Sequence, residues 1–295
     1  MKILITGSNG LLGQKIVKQC LSKAIDFIAS SQGDNRNSAC PAEKYRVLDI
    51  TNYDQIERLF IQEKPTHIIN TAAVTNVDYC ESNQDQCQAV NVTAVSYLLE
   101  VSERFNCHLT HLSTDFVFDG EDGPYSEDDK VNPLSVYAKS KVDSEALLLT
   151  SDYKNWSILR TIIVFGEGEN LSRSNIVLWA KQALEKGDPL TIVDDQFRAP
   201  TWADDLAWAC IQSAKLSAKG IYHIAGPETF SIYELVKKVA QFYHLDYSQV
   251  SAIKSAALNQ AAKRPPKTGF NLKKARNKLG YAPKTFEEAL ALLQN

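Results

Sequence analysis

The 295-residue chain has no run of apolar residues approaching the ~20 that a membrane helix needs, and nothing in it reads as a span. Charge of one sign is also missing. The 32 Lys and Arg against 35 Asp and Glu leave a formal net charge of −3, which argues against non-specific binding to nucleic acid or an anionic membrane. There is no CxxC pair. Cys20, Cys40, Cys80, Cys87, Cys107 and Cys210 are scattered as single thiols, which speaks against a disulfide framework or a zinc site and fits a reducing cytoplasm. Histidine is scarce. His108 and His111 lie three apart on an expected strand and so point to opposite faces, and no metal site is expected. At the start, Met1-Lys2-Ile3-Leu4-Ile5-Thr6-Gly7 leads straight into structure, without the long apolar stretch and small-residue cleavage site of an export signal, so a cytoplasmic location is expected.

What is present is ordinary globular composition, 44% hydrophobic and 23% charged, at a length that suits one large domain with a smaller one appended. Short apolar strands alternate with amphipathic segments through the first half. Strands are predicted at 2–6, 26–29, 46–48, 66–70 and 108–112, with helices at 11–21, 53–62 and 85–105. This rhythm demands parallel pairing with crossovers that cover both faces. Past residue 160 it loosens: apolar pieces at 190–193 and 221–224 alternate with helices at 204–213 and 231–243, punctuated by Gly187, Pro189, Pro200, Gly226-Pro227 and Pro265-Pro266.

The first strand runs into Gly7-Ser8-Asn9-Gly10-Leu11-Leu12-Gly13, which opens the first helix. Glycines at such a junction permit a tight turn and let backbone approach a pyrophosphate, which the helix N-terminus then binds through free N–H groups. The spacing is GxxGxxG rather than GxGxxG, so the dinucleotide fingerprint is met in context and not letter for letter. The fold class expected is therefore α/β: a Rossmann-like doubly wound parallel sheet with a smaller C-terminal substrate-binding lobe. Residues 1–160 would form the NAD(P)-binding domain, and 161–295 a mixed region that completes the sheet and forms the lobe. The second strand ends at Ser30-Ser31 without a carboxylate to grip the ribose hydroxyls of NAD, and Arg36 follows, so NADP(H) is favoured over NAD(H). Asp34, about 20 residues past the glycines, keeps NAD open. Asp49, with Ile50 beside it, is either an adenine contact or a helix cap ahead of Thr51-Asn52.

Tyr137 and Lys141 stand four apart, on one helix face, just after the strand that ends Ser113-Thr114. A lysine ammonium beside a phenol stabilises tyrosinate and draws its pKa from about 10 toward neutrality. Tyr233 and Lys237 repeat the spacing, but on a helix remote from the cofactor crevice, and are read as a chance pair.

Glycine loop, Ser113-Thr114 and Tyr137/Lys141 together resemble the extended short-chain dehydrogenase/reductases. Three further stretches narrow the resemblance to the dTDP-4-dehydrorhamnose reductase family: Leu112-Ser113-Thr114-Asp115-Phe116-Val117-Phe118-Asp119-Gly120, Asp195-Gln196-Phe197-Arg198-Ala199-Pro200-Thr201, and Arg264-Pro265 with Leu272 and Leu279. That resemblance implies a catalytic set of Thr114, Tyr137 and Lys141, with the lysine also on the nicotinamide ribose. It implies Ala72 and Ala73 along the cofactor, Asn91 supporting the site or filling a polar core position, and Thr75 and Val77 beside the sugar. The implied reaction is reduction of a 4-keto-6-deoxysugar nucleotide by NAD(P)H. The chain departs from the family pattern at Phe116, where tyrosine is usual, and at Ile163, where tryptophan is frequent, and both belong to the sugar pocket by resemblance. Glutamate, which a dehydratase would place at 116, is absent, while an epimerase stays open. So does a non-enzymatic regulator similar to the methionine adenosyltransferase regulatory subunit. Arg264, a planar donor stiffened by two prolines, is the candidate for the substrate diphosphate. The acid-free stretch 263–278 reads as a solvated face or as electrostatic steering of that diphosphate. The expected partner is a sugar nucleotide, with no nucleic acid and no membrane, and a homodimer is compatible with the sequence.

Overall fold

The computed structural model describes residues 1–293. Its first half follows the expected alternation: β1 (Lys2–Thr6), α1 (Leu11–Ser22), β2 (Asp26–Ser31), β3 (Tyr45–Val47), α2 (Tyr53–Glu63) and β4 (His67–Asn70). A short helix not expected from the sequence, α3 (Val77–Ser82), comes next, and the single helix expected over 85–105 is broken into α4 (Gln84–Gln88), a π-helical turn at Ala89–Thr93 and α5 (Ala94–Arg104). The wide turn carries Asn91 inward, onto the loop after β4, a use of π-helical geometry common at functional sites. Then come β5 (His108–Thr114), α6 (Val136–Thr150) and β6 (Trp156–Thr161). The remainder holds β7 (Val164–Phe165), α7 (Ile176–Glu185), β8 (Leu190–Val193), β9 (Phe197–Arg198), β10 (Thr201–Trp202) and α8 (Ala203–Lys215). It ends with β11 (Gly220–Ile224), β12 (Phe230–Ser231), α9 (Ile232–Phe242), β13 (Val250–Ile253), α10 (Lys273–Leu279) and α11 (Phe286–Leu292).

Seven strands form one sheet in the order β11-β6-β5-β4-β1-β2-β3, and every pairing in it is parallel. The chain winds outward from β1 to β3, returns to β4 beside β1, and winds outward the other way. The direction reverses between β1 and β4, whose carboxyl ends open the crevice in which such sheets bind ligands. Alternate residues of β1 feed two cores. Ile3 and Ile5 pack with Ile16, Val17, Leu206 and Cys210 under α1 and α8, while Leu4 packs with Ile56, Phe60, Leu98 and Leu148 under α2, α5 and α6. A third core, with Val177, Leu184, Leu235, Val239, Phe286 and Leu290, joins α7, α9 and α11 to the β8–β13 pair. The sheet runs past residue 160, since β6 ends at Thr161 and β11 is threaded back from later in the chain. No helix among the described residues is long and apolar enough to cross a membrane.

Candidate active site

After β1 the backbone turns at Gly7 with φ +69°, in the left-handed region, and a Cβ there would lie 2.7 Å from the backbone N of Ala72. At Gly13 a Cβ would lie 2.5 Å from both the Gly7 carbonyl oxygen and Ser8 Cα. Glycine at these two positions lets helix, loop and the 71–73 segment close on one another. Gly10 caps α1 without a side-chain hydrogen bond, and the first turn holds no acid. By contrast α2, α3, α6 and α7 begin under Asn52, Asn76, Ser135 and Asn175, whose side chains accept from the first-turn amides. The α1 N-terminus is thus left open to an anion. Ser8 Oγ and Ser113 Oγ, which flank the crevice from the ends of β1 and β5, are buried without a hydrogen-bond partner among the described residues. A glycine cradle, an uncapped helix and two orphaned hydroxyls fit a dinucleotide.

Around the cradle the sequence-derived residues divide. Leu11 and Leu12 are half-buried in the first turn of α1, and Ala72 and Ala73 half-buried in the loop after β4. The buried Asn9 amide donates to the Asp34 carbonyl at 2.9 Å and accepts from Arg36 N at 2.9 Å, so it braces the 31–36 loop rather than reaching for a ligand. Ser31 Oγ accepts from Asn9 N at 3.0 Å. Arg36 is exposed at the rim, with its guanidinium 3.4 Å from the Asn170 carbonyl. Two expectations are corrected. Ser30 turns its hydroxyl into the sheet, where it donates to the Ile5 carbonyl at 3.2 Å, and the Ile50 side chain sits in the core under α2. Asp49 neither caps α2, which is the work of Asn52, nor stands free: it accepts from Thr51 N at 2.9 Å and Thr51 Oγ1 at 2.7 Å.

Thr114 ends β5, and α6 starts under Ser135 so that Tyr137 and Lys141 both face that strand from buried positions. The Tyr137 hydroxyl lies beside the Thr114 side chain, which favours its ionised form. Thr114 Oγ1 also donates to Asp115 Oδ1 at 3.1 Å and accepts from Phe116 N at 3.2 Å. The Phe116 ring meets Tyr137 edge-on, with centroids 6.2 Å apart. Asn91 clamps the 74 position, accepting from Val74 N at 2.8 Å and donating to its carbonyl at 3.0 Å, and it donates to Ser140 Oγ at 3.0 Å beneath the tyrosine. The lowered phenol pKa expected from the lysine is not what the site produces. Burial pushes Tyr137 above the usual range, and Asp115, Cys80 and Cys87 add to it against the opposing effect of the Thr114 side chain. The reason is geometric: among the described residues the Lys141 Nζ hydrogen-bonding partner is His111 Nε2, at 3.2 Å. Burial lowers Lys141 to about 8, against the opposing pull of Glu145 and Cys87.

Two buried arginines frame these groups. Arg160 clasps Glu145 through two bonds of 2.9 and 2.7 Å. Arg198 lies 3.6 Å from Asp115, caps the Phe116 ring with its guanidinium carbon 5.3 Å from the centroid, and donates to the Pro265 carbonyl at 2.7 Å. Asp115, which also accepts from Thr268, is therefore tied to the C-terminal lobe. Thr75 is exposed and Val77 packs near Tyr137. Ile163, β-branched, sits at φ +28°, a strained conformation for its type at the edge of the cleft. Arg264 is already held: it donates to Asp78 Oδ1 at 3.2 Å and Oδ2 at 2.6 Å, bridging the lobe to the start of α3. Sequence reasoning passed over Arg198, Asn70 and His111. For His111 the strand parity that sent it to the opposite face from His108 was the available signal.

A doubly wound sheet with an open helix N-terminus at its switch point, and a Thr–Tyr–Lys group at the end of the neighbouring strand, defines an extended short-chain dehydrogenase/reductase, a class of nicotinamide-dependent oxidoreductases. Within that class, the chain belongs to the family described as the RmlD substrate binding domain, which it matches over residues 1–295. It is 36% identical to the dTDP-4-dehydrorhamnose reductase of Aggregatibacter actinomycetemcomitans, over 98% of this chain and 97% of that one. It is 30% identical to methionine adenosyltransferase 2 subunit beta of Danio rerio, over 90% of this chain and 80% of that one. The crystal structure of a dTDP-4-dehydrorhamnose reductase from Clostridium acetobutylicum is similar with a TM-score of 0.88 at 29% identity, covering 100% of this chain and 98% of that one.

Proposed function

We propose that this chain reduces the 4-keto group of a dTDP-linked 6-deoxysugar, dTDP-4-dehydrorhamnose, to the alcohol, with NADPH preferred over NADH. The observation that carries this reading is the convergence of the Thr114 and Tyr137 side chains, with Lys141 on the same helix, at the carboxyl end of β5, one strand removed from the β1 that leads into the glycine cradle. A carbonyl oxygen seated between the two hydroxyls accepts a hydrogen bond from Tyr137 and, when the Thr114 proton turns to it from Asp115 Oδ1, from Thr114, which polarises it and fixes which face it presents. The dinucleotide, when bound, supplies a hydride to the carbonyl carbon. Tyr137 gives its proton to the oxygen. Lys141, charged below about pH 8, would hold the ribose, and the Thr114 hydroxyl favours the tyrosinate left behind. Phe116 and Ile163 line the sugar, and Arg264 with Asp78 bounds the diphosphate end. The preference for NADPH rests on Arg36, exposed beside the glycine loop where no carboxylate closes β2.

The test is NADPH consumption against a panel of 4-keto-sugar nucleotides that vary in base and sugar, with NADH in parallel. Turnover greatest with the dTDP-linked 4-keto-6-deoxysugar and NADPH supports the reading, and NADPH binding without turnover of any of them overturns it. That second outcome would favour a non-catalytic subunit, the alternative supported by the similarity to methionine adenosyltransferase 2 subunit beta.

A further inference from the structure

Beneath Lys141 runs a chain of buried polar groups that no step above uses. Thr6 Oγ1 lies 2.6 Å from Asn70 Oδ1, Asn70 Nδ2 lies 3.2 Å from His111 Nδ1, and His111 Nε2 lies 3.2 Å from Lys141 Nζ. His111 Nε2 also lies 3.1 Å from Ser144 Oγ, whose own proton goes to the Lys141 carbonyl at 2.8 Å. Thr6, Asn70, His111, Lys141 and Ser144 are all buried. The chain spans three adjacent strands, β1, β4 and β5, and ends on the helix that carries Tyr137. Among the described residues no carboxylate is within bonding distance of the ammonium. The other titratable groups around it are Glu145, one turn on along α6 and engaged by Arg160, Cys87 on α4, whose thiol contacts Ser140 Oγ at 3.4 Å, and Tyr137 on its own helix.

An ammonium only donates, and a neutral imidazole has one donor and one acceptor nitrogen. Hydrogen-bond arithmetic then allows the chain two registers. In one, with the Asn70 amide turned end for end from its orientation in the structure, Lys141 donates to Nε2, the Nδ1 proton goes to the amide oxygen of Asn70, and the amide NH2 donates to Thr6 Oγ1. In the other, the amide stands as it does in the structure: Thr6 donates to Asn70 Oδ1, Asn70 Nδ2 donates to Nδ1, and the Nε2 proton goes to Ser144, which leaves the lysine without an acceptor. Burial and the charge of Lys141 keep His111 neutral, which the relay requires.

We propose that His111 is a positioning residue for Lys141: its Nε2 holds the ammonium while Asn70 takes the Nδ1 proton, and the Asn70–His111 pair turns to the opposite register when the lysine is neutral. This rests on the reading of Lys141 as the charge beside the tyrosine and the ribose. Lys141 then owes its aim to a partner that changes tautomer with it, and the state of the lysine is carried through to β1 at the base of the glycine loop.

The experiment is 15N NMR of histidine-labelled protein across pH 6.5–10, on the wild type, Asn70→Leu and Lys141→Met, together with pH profiles of kcat/KM for NADPH-dependent reduction. The His111 proton should sit on Nδ1 at low pH and pass to Nε2 with the midpoint of the alkaline fall in activity. In Lys141→Met it should stay on Nε2 throughout, and in Asn70→Leu the exchange should lose its sharp coupling to that midpoint. His111→Phe should move the alkaline limb down by about one pH unit, the effect of losing one charge-assisted hydrogen bond, with His111→Gln restoring part of it. Asn70→Asp, which can only accept from Nδ1, should move the limb up. A wild-type Nε2 tautomer at every pH, or the same tautomer with and without the lysine, overturns the proposal, even if His111→Phe does not fold. Full activity in Lys141→Met would instead remove the catalytic reading of the lysine, and the tautomer exchange in the wild type would still decide the pairing.

Discussion

Gly13 offers a test in which two elementary effects oppose each other. On helix propensity alone, Gly13→Ala in the first turn of α1 should stabilise the chain by about 1 kcal/mol. The surroundings say otherwise. The added methyl would lie 2.5 Å from the Gly7 carbonyl oxygen and 2.5 Å from Ser8 Cα, both backbone atoms of the same turn. That is about 1 Å inside normal contact, and neither atom can rotate away. Forcing the loop outward costs about 1–3 kcal/mol as overpacking, so the net effect on the apo protein should be a loss of about 0–2 kcal/mol. The larger effect is on the ligand. The displaced turn re-aims the N–H groups at the start of α1, and losing one charge-assisted bond worth about 1.5–3 kcal/mol weakens dinucleotide binding about 10- to 150-fold. Gly10→Ala separates the two terms, because there the methyl meets only the Gly7 carbonyl oxygen, at 3.3 Å, and stability should stay within about 0.5 kcal/mol of the wild type. Thermal unfolding of the apo protein and a fluorescence titration with NADPH read both quantities. A Gly13→Ala protein that melts higher and binds NADPH like the wild type would refute the argument.

Tyr137→Phe should cut turnover by about 10² or more with NADPH affinity nearly intact, while Tyr233→Phe, on α9 with Lys237 5.6 Å from its ring centroid, should be close to silent in the same steady-state assay. Arg264→Ala should raise the KM for the sugar nucleotide about tenfold with little change in NADPH affinity; an unchanged KM with lowered melting temperature would leave Arg264 only its structural pairing with Asp78. Burial holds His67 down at about 4, and His108, His111 and His223 also below their ordinary value. The unfolded chain therefore takes up protons near pH 6.5 that the folded chain refuses, so stability present above that pH is lost as pH falls from about 6.5 toward 4. A melting temperature that drops by about 5 °C or more between pH 7 and pH 5 is expected, and a flat profile would contradict it.

How far the sequence reaches depends on whether a feature repeats along the chain or is assembled across it. Ile3, Leu4 and Ile5 announce a strand buried on both faces because period and apolarity are local, and Tyr137 with Lys141 announces a shared helix face for the same reason. The break of 85–105 into α4, the π turn and α5 is invisible to periodicity, because Asn91 leaves the helical register only to reach Val74, a residue brought near by the tertiary fold. Ser30 and Ser31 look equivalent in sequence, yet strand parity turns one hydroxyl into the sheet and leaves the other at the crevice. Arg198 is a fuller case. Its partners, Asp115 and the Pro265 carbonyl, lie 83 residues before it (198 − 115) and 67 after it (265 − 198), so a cation read as part of a motif proves to be the buried joint between the catalytic strand and the lobe.

The departure of Tyr137 from the expected acidity bears on the direction of the chemistry. A phenol drawn toward neutrality would serve either as acid or as base. A phenol raised by burial stays protonated at every physiological pH, and so stands ready as a donor. Hydride arriving at a ketone carbon leaves charge on its oxygen, and an alkoxide is a stronger base than a phenolate, so even a raised tyrosine gives up its proton downhill. The tyrosinate that results is favoured by the Thr114 side chain. Run the other way, an alcohol would need tyrosinate as its base, and burial makes that species scarce. A buried tyrosine that keeps its proton, on the same helix as a lysine charged at neutral pH, can serve as the donor that reduction of a ketone needs.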